Sequence, residues 1–201
     1  FFLSAKYHCK VIGIDYSKDA IDLASNHLKD FKHTQKQVDI TFYNLDNDHL
    51  PDLSGVKYVF LNDVVEHLYD PELSQVFKKM YSWGDEVTLV VHTDNTIYLN
   101  YIRPFADIIG KYFGGYDRNY FVSRKVLEKL HVNLTNPRRL RNFLLPIGFR
   151  QTQLEYPQVA ASAITGQLGL KPGTWLSHPI KFILNIFKPL SPSFYAAYKK
   201  S

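Results

Sequence analysis

The run VIGIDYSKDAIDLA, Val11–Ala24, holds a strand, a turn and the start of a helix in close succession. With Lys10 it opens as KVIGI, a short apolar segment rich in β-branched residues, which predicts a buried parallel strand over Lys10–Ile14. Asp15 follows at once, at the carboxyl end of that strand. Ser17 is placed to cap a helix. Ala20, Ile21, Leu23, Ala24 and Leu28 then recur on one helical face.

The same alternation continues outward. Phe1–Tyr7 reads as the tail of a helix. Val38–Tyr43 alternates apolar and polar residues, and Val56–Leu61 and Glu86–His92 are further strands. Asp46–Gly55 is a polar loop. Between the last two strands, the helix within Val64–Tyr81 is expected to start near Pro71, because proline suits a first turn. Strand–helix–strand order of this kind predicts right-handed crossovers and an α/β fold with a doubly wound, mostly parallel sheet. Further on, Thr96–Phe113 reads as an aromatic-rich helix disturbed by Pro104 and ended by Gly114-Gly115. Pro137–Leu145 is a helix ended near Gly148, Phe149–Tyr156 a strand, His178–Phe187 an apolar helix and Ser193–Lys199 a final strand.

Composition sets bounds. The 201 residues are 45% hydrophobic and 21% charged, an ordinary globular balance. The aromatic share of 15% includes 14 Tyr and 14 Phe, which serve either an aromatic-lined pocket or a Phe-rich core with surface Tyr. The net charge of +5 and pI near 9.1 suit anionic ligands or surfaces without selecting one. A single Cys9 excludes an internal disulfide framework, so a reducing compartment is expected. No apolar run reaches the ~20 residues of a spanning helix, and no signal-peptide pattern is present. The expectation is a cytoplasmic protein.

Four polar groups each follow a predicted strand, on the edge where doubly wound sheets bind ligands. Asp15 either accepts from two ribose hydroxyls or caps the next helix. Asp46 and Asn47 either meet an adenine edge or form a plain turn. Asn62-Asp63-Val64-Val65-Glu66-His67 crowds the third strand end. There Asp63, Glu66 and His67, at i, i+3 and i+4, can share a helical face as a divalent-metal set. His67 or Glu66 can instead act as a general base, or the acids simply favour a helix N-terminus. His92-Thr93-Asp94-Asn95 either contacts substrate or caps a helix.

These segments resemble the class I S-adenosylmethionine-dependent methyltransferases. Val11–Ala24 is similar to their second strand and following helix, Asp46–Pro51 (DNDHLP) to the loop after the third strand. Leu61–Pro71 (LNDVVEHLYDP) is similar to the post-strand segment of the ubiquinone-biosynthesis type. His131–Phe149 resembles the helix before their sixth strand, and Phe194–Lys200 (FYAAYKK) their closing antiparallel strand. The resemblance implies a Rossmann-like single domain over 1–201 with an antiparallel last strand. Residues 1–95 would form the cofactor part, and 96–135 and 158–192 would be insertions shaping a substrate pocket. It implies S-adenosyl-L-methionine as cofactor, with Asp15 on the ribose, Tyr16 against the adenine, Asp46 on its amine with Asn47 alongside, and Asn62 by the methionine part. Some ubiquinone-pathway members bind a divalent metal at the positions of Asp63, Glu66 and His67. Asp63 stands where those relatives usually have Glu and reaches less far, so no metal is assigned. The family's glycine-rich loop and first strand have no counterpart in the sequence, and both are expected upstream of Phe1.

The expected reaction is methyl transfer by direct displacement to a small-molecule acceptor, lipid-like acceptors included, with His67 and His92 as candidate bases. Aromatic residues of Tyr98–Phe121 and the helix within 178–190 would shape the acceptor pocket. HPIKFILNIFKPL places Ile180, Ile183, Leu184 and Phe187 at helical spacing between Lys181 and Lys188, so this segment is either a core helix or a peripheral membrane contact. Arg138, Arg139, Arg141 and Arg150 read as a solvated face rather than a nucleic-acid site. Two other classes remain open: a non-catalytic module that has lost cofactor binding, and a nicotinamide-dependent Rossmann enzyme.

Overall fold

A computed structural model of the chain describes residues 2–34, 38–45, 48–105, 108, 130–158 and 177–201. They form two compact units, residues 1–53 and 54–201.

In the first unit, helix α1 (Phe2–Tyr7) leads into β1 (Lys10–Asp15), α2 (Lys18–Thr34) and β2 (Asp39–Asn44). β1 and β2 pair in parallel, from Lys10 opposite Asp39 to Asp15 opposite Asn44. The predicted helix start is seen in atomic detail: Ser17 Oγ accepts from the Ala20 N–H at 3.2 Å. Gly13 stands directly opposite Phe42, whose ring lies over it; a Cβ on residue 13 would come within 2.5 Å of that ring. Val11, Ile40 and Phe42 line an open apolar hollow with Ala20, Leu23 and Ala24 of α2.

The second unit contains a four-stranded sheet in the order β3-β4-β6-β5. β3 (Tyr58–Asn62) and β4 (Thr88–Asp94) are parallel. β6 (Ser193–Lys200) runs antiparallel to both of its neighbours, β4 and β5 (Phe149–Glu155). The last strand is therefore the one that runs against the others, as expected from Phe194–Lys200. Helix α3 (Asp70–Tyr81) has Pro71 in its first turn, and Glu72 reaches back to accept from the Tyr69 N–H at 2.9 Å. Its inner face is Leu73, Phe77 and Met80, all buried against the sheet residues Leu61, Leu89 and Val91. Each such side chain contributes about 1.5–3 kcal/mol by leaving water.

Helix α4 (Pro137–Leu144) begins at Asn136, whose Oδ1 accepts from the Arg139 N–H at 3.0 Å. It tightens into a 3-10 turn, Leu145–Ile147, and stops at Gly148. After β4 the chain winds into a π turn at Tyr98–Ile102, just ahead of Pro104. Most of the helix expected over Thr96–Phe113 lies outside the described residues, as does the Gly114-Gly115 break. Helix α5 (Ser177–Ile186) precedes a 3-10 turn, Lys188–Leu190. No helix among the described residues is long and apolar enough to cross a membrane.

Gly148 is the position where backbone chemistry is most restrictive. Its φ of +108° is one that L side chains rarely adopt, and an added Cβ would sit 2.7 Å from the Tyr81 ring. That ring cannot simply move aside. It meets Phe149 edge-on at 5.3 Å, and the Lys200 ammonium lies 4.2 Å from its centroid. Gly148→Ala is expected to destabilise the fold by about 2 kcal/mol or more, from strain and overpacking together. The urea unfolding midpoint measures this; a midpoint equal to that of the wild type would contradict the packing described.

Candidate active site

The first unit carries the predicted nucleotide-facing residues. Asp15 ends β1 half-buried, and its Oδ1 accepts from the Ser17 N–H at 2.7 Å. This is a local turn leading into the Ser17 cap rather than a bond to a helical N–H, and it uses one lone pair of a carboxylate that offers about four. Tyr16 is exposed, with its carbonyl accepting from Asn44 Nδ2 at 2.8 Å. The Leu45 N–H donates to the Asp15 carbonyl at 2.9 Å, so the two strand ends are stitched together. Asp48 Oδ2 accepts from the Asn44 N–H at 2.7 Å. Asp46 and Asn47 lie outside the described residues.

The second unit gathers the other candidates at the carboxyl edge of β3 and β4. Asn62 pairs in register with His92 and is exposed. Asp63 follows in the left-handed region, φ +53°, with its N–H donating to the His92 carbonyl at 3.0 Å. That conformation is uncommon for a residue with a side chain, though Asp is among the types that tolerate it. It accompanies a contact of the Asp63 carboxylate with His92 Nδ1 at 2.9 Å. Tyr195, opposite His92 on β6, lies against the imidazole with ring centroids 4.4 Å apart. His92 is thus fixed by an acid on one nitrogen and an aromatic ring on its face.

Glu66 and His67 sit in a 3-10 turn, Val65–His67, just beyond. Glu66 is only 2% exposed. Its Oε2 accepts from the buried Thr93 hydroxyl at 2.8 Å. Burial pushes the Glu66 carboxyl above its ordinary range, with the nearby charges of Asp63 and Asp94 adding to the shift and the Thr93 bond opposing it. Burial likewise raises Asp94, while neighbouring His131 works against the shift. His67 Nδ1 lies 3.2 Å from the Leu130 carbonyl, and the His67 and His131 rings meet edge-on at 5.0 Å. Asp63 therefore engages His92, whereas Glu66 and His67 gather with His131: ligand atoms of these three lie within 4.8 Å of one another. The shared helical face expected for Asp63, Glu66 and His67 does not form, because Asp63 turns left-handed before the 3-10 turn begins.

The segment His92–Asn95 divides its roles. Thr93 is buried and holds Glu66. Asn95 is also buried; its Oδ1 accepts from the Ile97 N–H at 3.1 Å and its Nδ2 donates to the Pro189 and Ser191 carbonyls at 2.9 Å. It caps the next turn and ties the segment before β6 to the end of β4. His131 had no sequence signal of its own. It arrives through a loop some sixty residues downstream, anchored by the Asn133 N–H donating to the Glu66 carbonyl at 3.0 Å. Of the basic cluster, Arg139 is engaged with Asp70 through two bonds of 2.9 and 3.1 Å. Arg138, Arg141 and Arg150 are exposed.

Comparison with known proteins places this arrangement. Residues 1–84 match the family model described as a methyltransferase domain. No curated protein matches the sequence. Among solved structures, magnesium protoporphyrin IX methyltransferase from Synechocystis PCC 6803 with bound SAH superposes with a TM-score of 0.55 at 16% identity, covering 98% of this chain and 66% of that one. A SAM-dependent methyltransferase from Archaeoglobus fulgidus superposes with a TM-score of 0.54 at 16% identity, covering 98% and 79%. A geranyl diphosphate methyltransferase in complex with SAM superposes with a TM-score of 0.55 at 11% identity, covering 98% and 71%. The chain thus spans just under two thirds of the first neighbour's length and more of the other two. With the methyltransferase-domain match over residues 1–84, the chain has the Rossmann-like fold of the class I S-adenosylmethionine-dependent methyltransferases.

Proposed function

We propose that the protein is an S-adenosylmethionine-dependent methyltransferase acting by direct displacement on a small acceptor. The observation that carries the reading is the polar edge of β3 and β4, where Asp63, His92 and Tyr195 form one contact set. When bound, the cofactor supplies an electrophilic methyl group on a sulfonium. The carboxylate of Asp15 suits the group chemically, since it ends a parallel strand and keeps acceptor capacity beyond its bond to Ser17. Asp15 would accept from the ribose hydroxyls, with Tyr16, Asp46 and Asn47 serving the adenine and Asn62 the methionine part. His92 would take a proton from the acceptor nucleophile at Nε2 while Asp63 holds its Nδ1. His67 is the second candidate for that role. Calorimetric titration with S-adenosylhomocysteine tests the reading: saturable binding is expected, with no binding of NAD. No binding of S-adenosylhomocysteine supports a module without cofactor, and preference for NAD a nicotinamide enzyme.

The acceptor is proposed to be apolar and met at an anionic membrane surface through α5. Phe182, Ile183, Ile186 and Phe187 are exposed, while Leu184 of the same helix is buried. A helix embedded in the core would hide most of these side chains. Exposed Lys181 and Lys188 give the surface the charge that anionic lipids complement. The neighbour named as a geranyl diphosphate methyltransferase supports an apolar acceptor by analogy. Flotation with phosphatidylserine vesicles is expected to carry the protein upward, and Phe182→Glu with Ile186→Glu to abolish this. Wild-type protein left at the bottom of the gradient removes the membrane contact and leaves methyl transfer standing.

A further inference from the structure

We infer that Tyr195 and Glu155 form an acceptor subsite for an amine: a primary or secondary alkylamine, bound as its ammonium ion by an aromatic face and a carboxylate. The inference rests on the methyltransferase reading above and names the substrate class for it. Strand register is its starting point. Asn62 stands opposite His92, His92 opposite Tyr195, and Tyr195 opposite Glu155. Side chains paired in register point to the same face of a sheet. Their neighbours along the strands, Leu61, Val91, Ala196 and Leu154, belong to the core on the other face, with α3 and α4. Asn62, His92, Tyr195 and Glu155 therefore form one row across β3-β4-β6-β5. With strands about 4.8 Å apart, the row runs about 14 Å from end to end. Asn62 is assigned to the methionine part of the cofactor and His92 to proton removal, so the acceptor extends over Tyr195 toward Glu155.

The row has the chemistry of a cation site. Tyr195 lies with its ring against His92 and is still 41% exposed. An aromatic face attracts an ammonium ion through its quadrupole. Glu155 is exposed and accepts from Gln153 Nε2 through Oε1. Among the described residues no cation pairs with it. On the same face Arg150 stands opposite Lys199, at the far end of the strands. The guanidinium of Arg103, nearer the carboxyl edge, is offset by Asp94. The net charge of +5 therefore does not set the sign beside Glu155.

An amine also gives His92 its task. An alkylammonium ion titrates near lysine, at about pH 10.4, so its nitrogen must lose a proton before it can attack. His92 Nε2 takes that proton while Asp63 holds Nδ1. The freed nitrogen lone pair then forms the N–CH3 bond as the S–CH3 bond breaks. The electron pair of the broken bond stays on sulfur, leaving S-adenosylhomocysteine, and the product departs as a methylated ammonium ion.

The test uses octylamine as the probe, with octanol and octanoate as its neutral and anionic counterparts. Calorimetric titration is expected to show saturable octylamine binding, about 5-fold or more tighter than octanol, and no binding of octanoate. Glu155→Gln is expected to weaken octylamine binding about 3- to 5-fold, the scale of an exposed ion pair, and to leave octanol unchanged. Tyr195→Leu should cost a similar factor, and Tyr195→Phe, which keeps the ring, should restore it. Lys199→Gln, at the far end of the same face, is expected to bind octylamine as the wild type does. Should Tyr195→Leu fail to fold by circular dichroism, Glu155→Gln, at an exposed position, still decides. With S-adenosylmethionine added, mass spectrometry is expected to find N-methyloctylamine. Octylamine bound by a protein that does not bind S-adenosylhomocysteine sinks the methyltransferase reading and leaves the amine subsite standing. Both bound, with no N-methyloctylamine formed, overturns the amine as nucleophile. The subsite itself is overturned by the absence of saturable octylamine binding, by equal affinity for octylamine and octanol, or by octylamine binding unchanged in Glu155→Gln.

Discussion

Asp15→Ala is expected to weaken binding of S-adenosylhomocysteine by about 100-fold or more. A carboxylate accepting from two ribose hydroxyls makes charge-assisted bonds, each worth about 1.5–3 kcal/mol, and alanine removes both. The same substitution also removes the acceptor for the Ser17 N–H, a hydrogen bond whose loss costs about 1 kcal/mol of stability. The two roles are separated by Asp15→Asn. Asparagine keeps a carbonyl oxygen for Ser17, but it replaces one carboxylate oxygen by an amide donor and removes the charge. If Asp15 grips the ribose, Asp15→Asn binds poorly while unfolding at nearly the wild-type urea concentration. If Asp15 serves only the turn before Ser17, Asp15→Asn binds S-adenosylhomocysteine as the wild type does and Asp15→Ala loses only stability.

Elements with local punctuation were legible in the sequence. α3 shows its start in Pro71 and its buried face in Leu73, Phe77 and Met80. α4 shows both ends, through Asn136-Pro137 and Gly148. Strand ends were less legible. β4 was expected over Glu86–His92 but pairs over Thr88–Asp94. An apolar run marks where side chains are buried, whereas the strand continues as long as the backbone finds a partner. Here β6 supplies one as far as Ser193 opposite Asp94. Polar Thr93 stays in the ladder because its hydroxyl is buried against Glu66 rather than exposed as a cap.

The site was legible as an edge but not as a set of contacts. Periodicity placed Asp63, Glu66 and His67 together because it assumed a helix from residue 63 onward. The left-handed turn at Asp63 redirects that carboxylate to His92, its neighbour across the parallel register of Asn62 and His92. Such a partner depends on strand register, which spacing along one segment does not encode. His131 is further still from local signals. Its place beside His67 is set by a loop bonded to the Glu66 carbonyl, and no motif marks it. The apolar run at His178–Phe187 predicted a helix correctly, but hydrophobicity alone did not distinguish burial from display. Exposed Phe182, Ile183 and Ile186 make that distinction.

His92→Gln is expected to lower kcat by about 100-fold or more for an acceptor whose nucleophile must lose a proton, within the 10²–10⁴ range of general base catalysis. The affinity for S-adenosylhomocysteine should be unchanged, since the imidazole is assigned to the acceptor. The local geometry predicts a graded companion. Asp63 holds His92 Nδ1 at 2.9 Å and Tyr195 lies against the ring, so the imidazole is oriented from two sides before any acceptor arrives. Asp63→Asn retains a hydrogen-bonding group at that place but loses the charge that favours the imidazolium formed during proton transfer. It should cost about 10-fold, less than loss of the base itself. Combining the two substitutions should cost no more than His92→Gln alone, because Asp63 acts only through the ring it orients. Multiplicative losses would mean that Asp63 contacts the acceptor directly. Rates left within twofold of wild type in both single variants would assign the pair to the β3–β4 junction and move the base to His67.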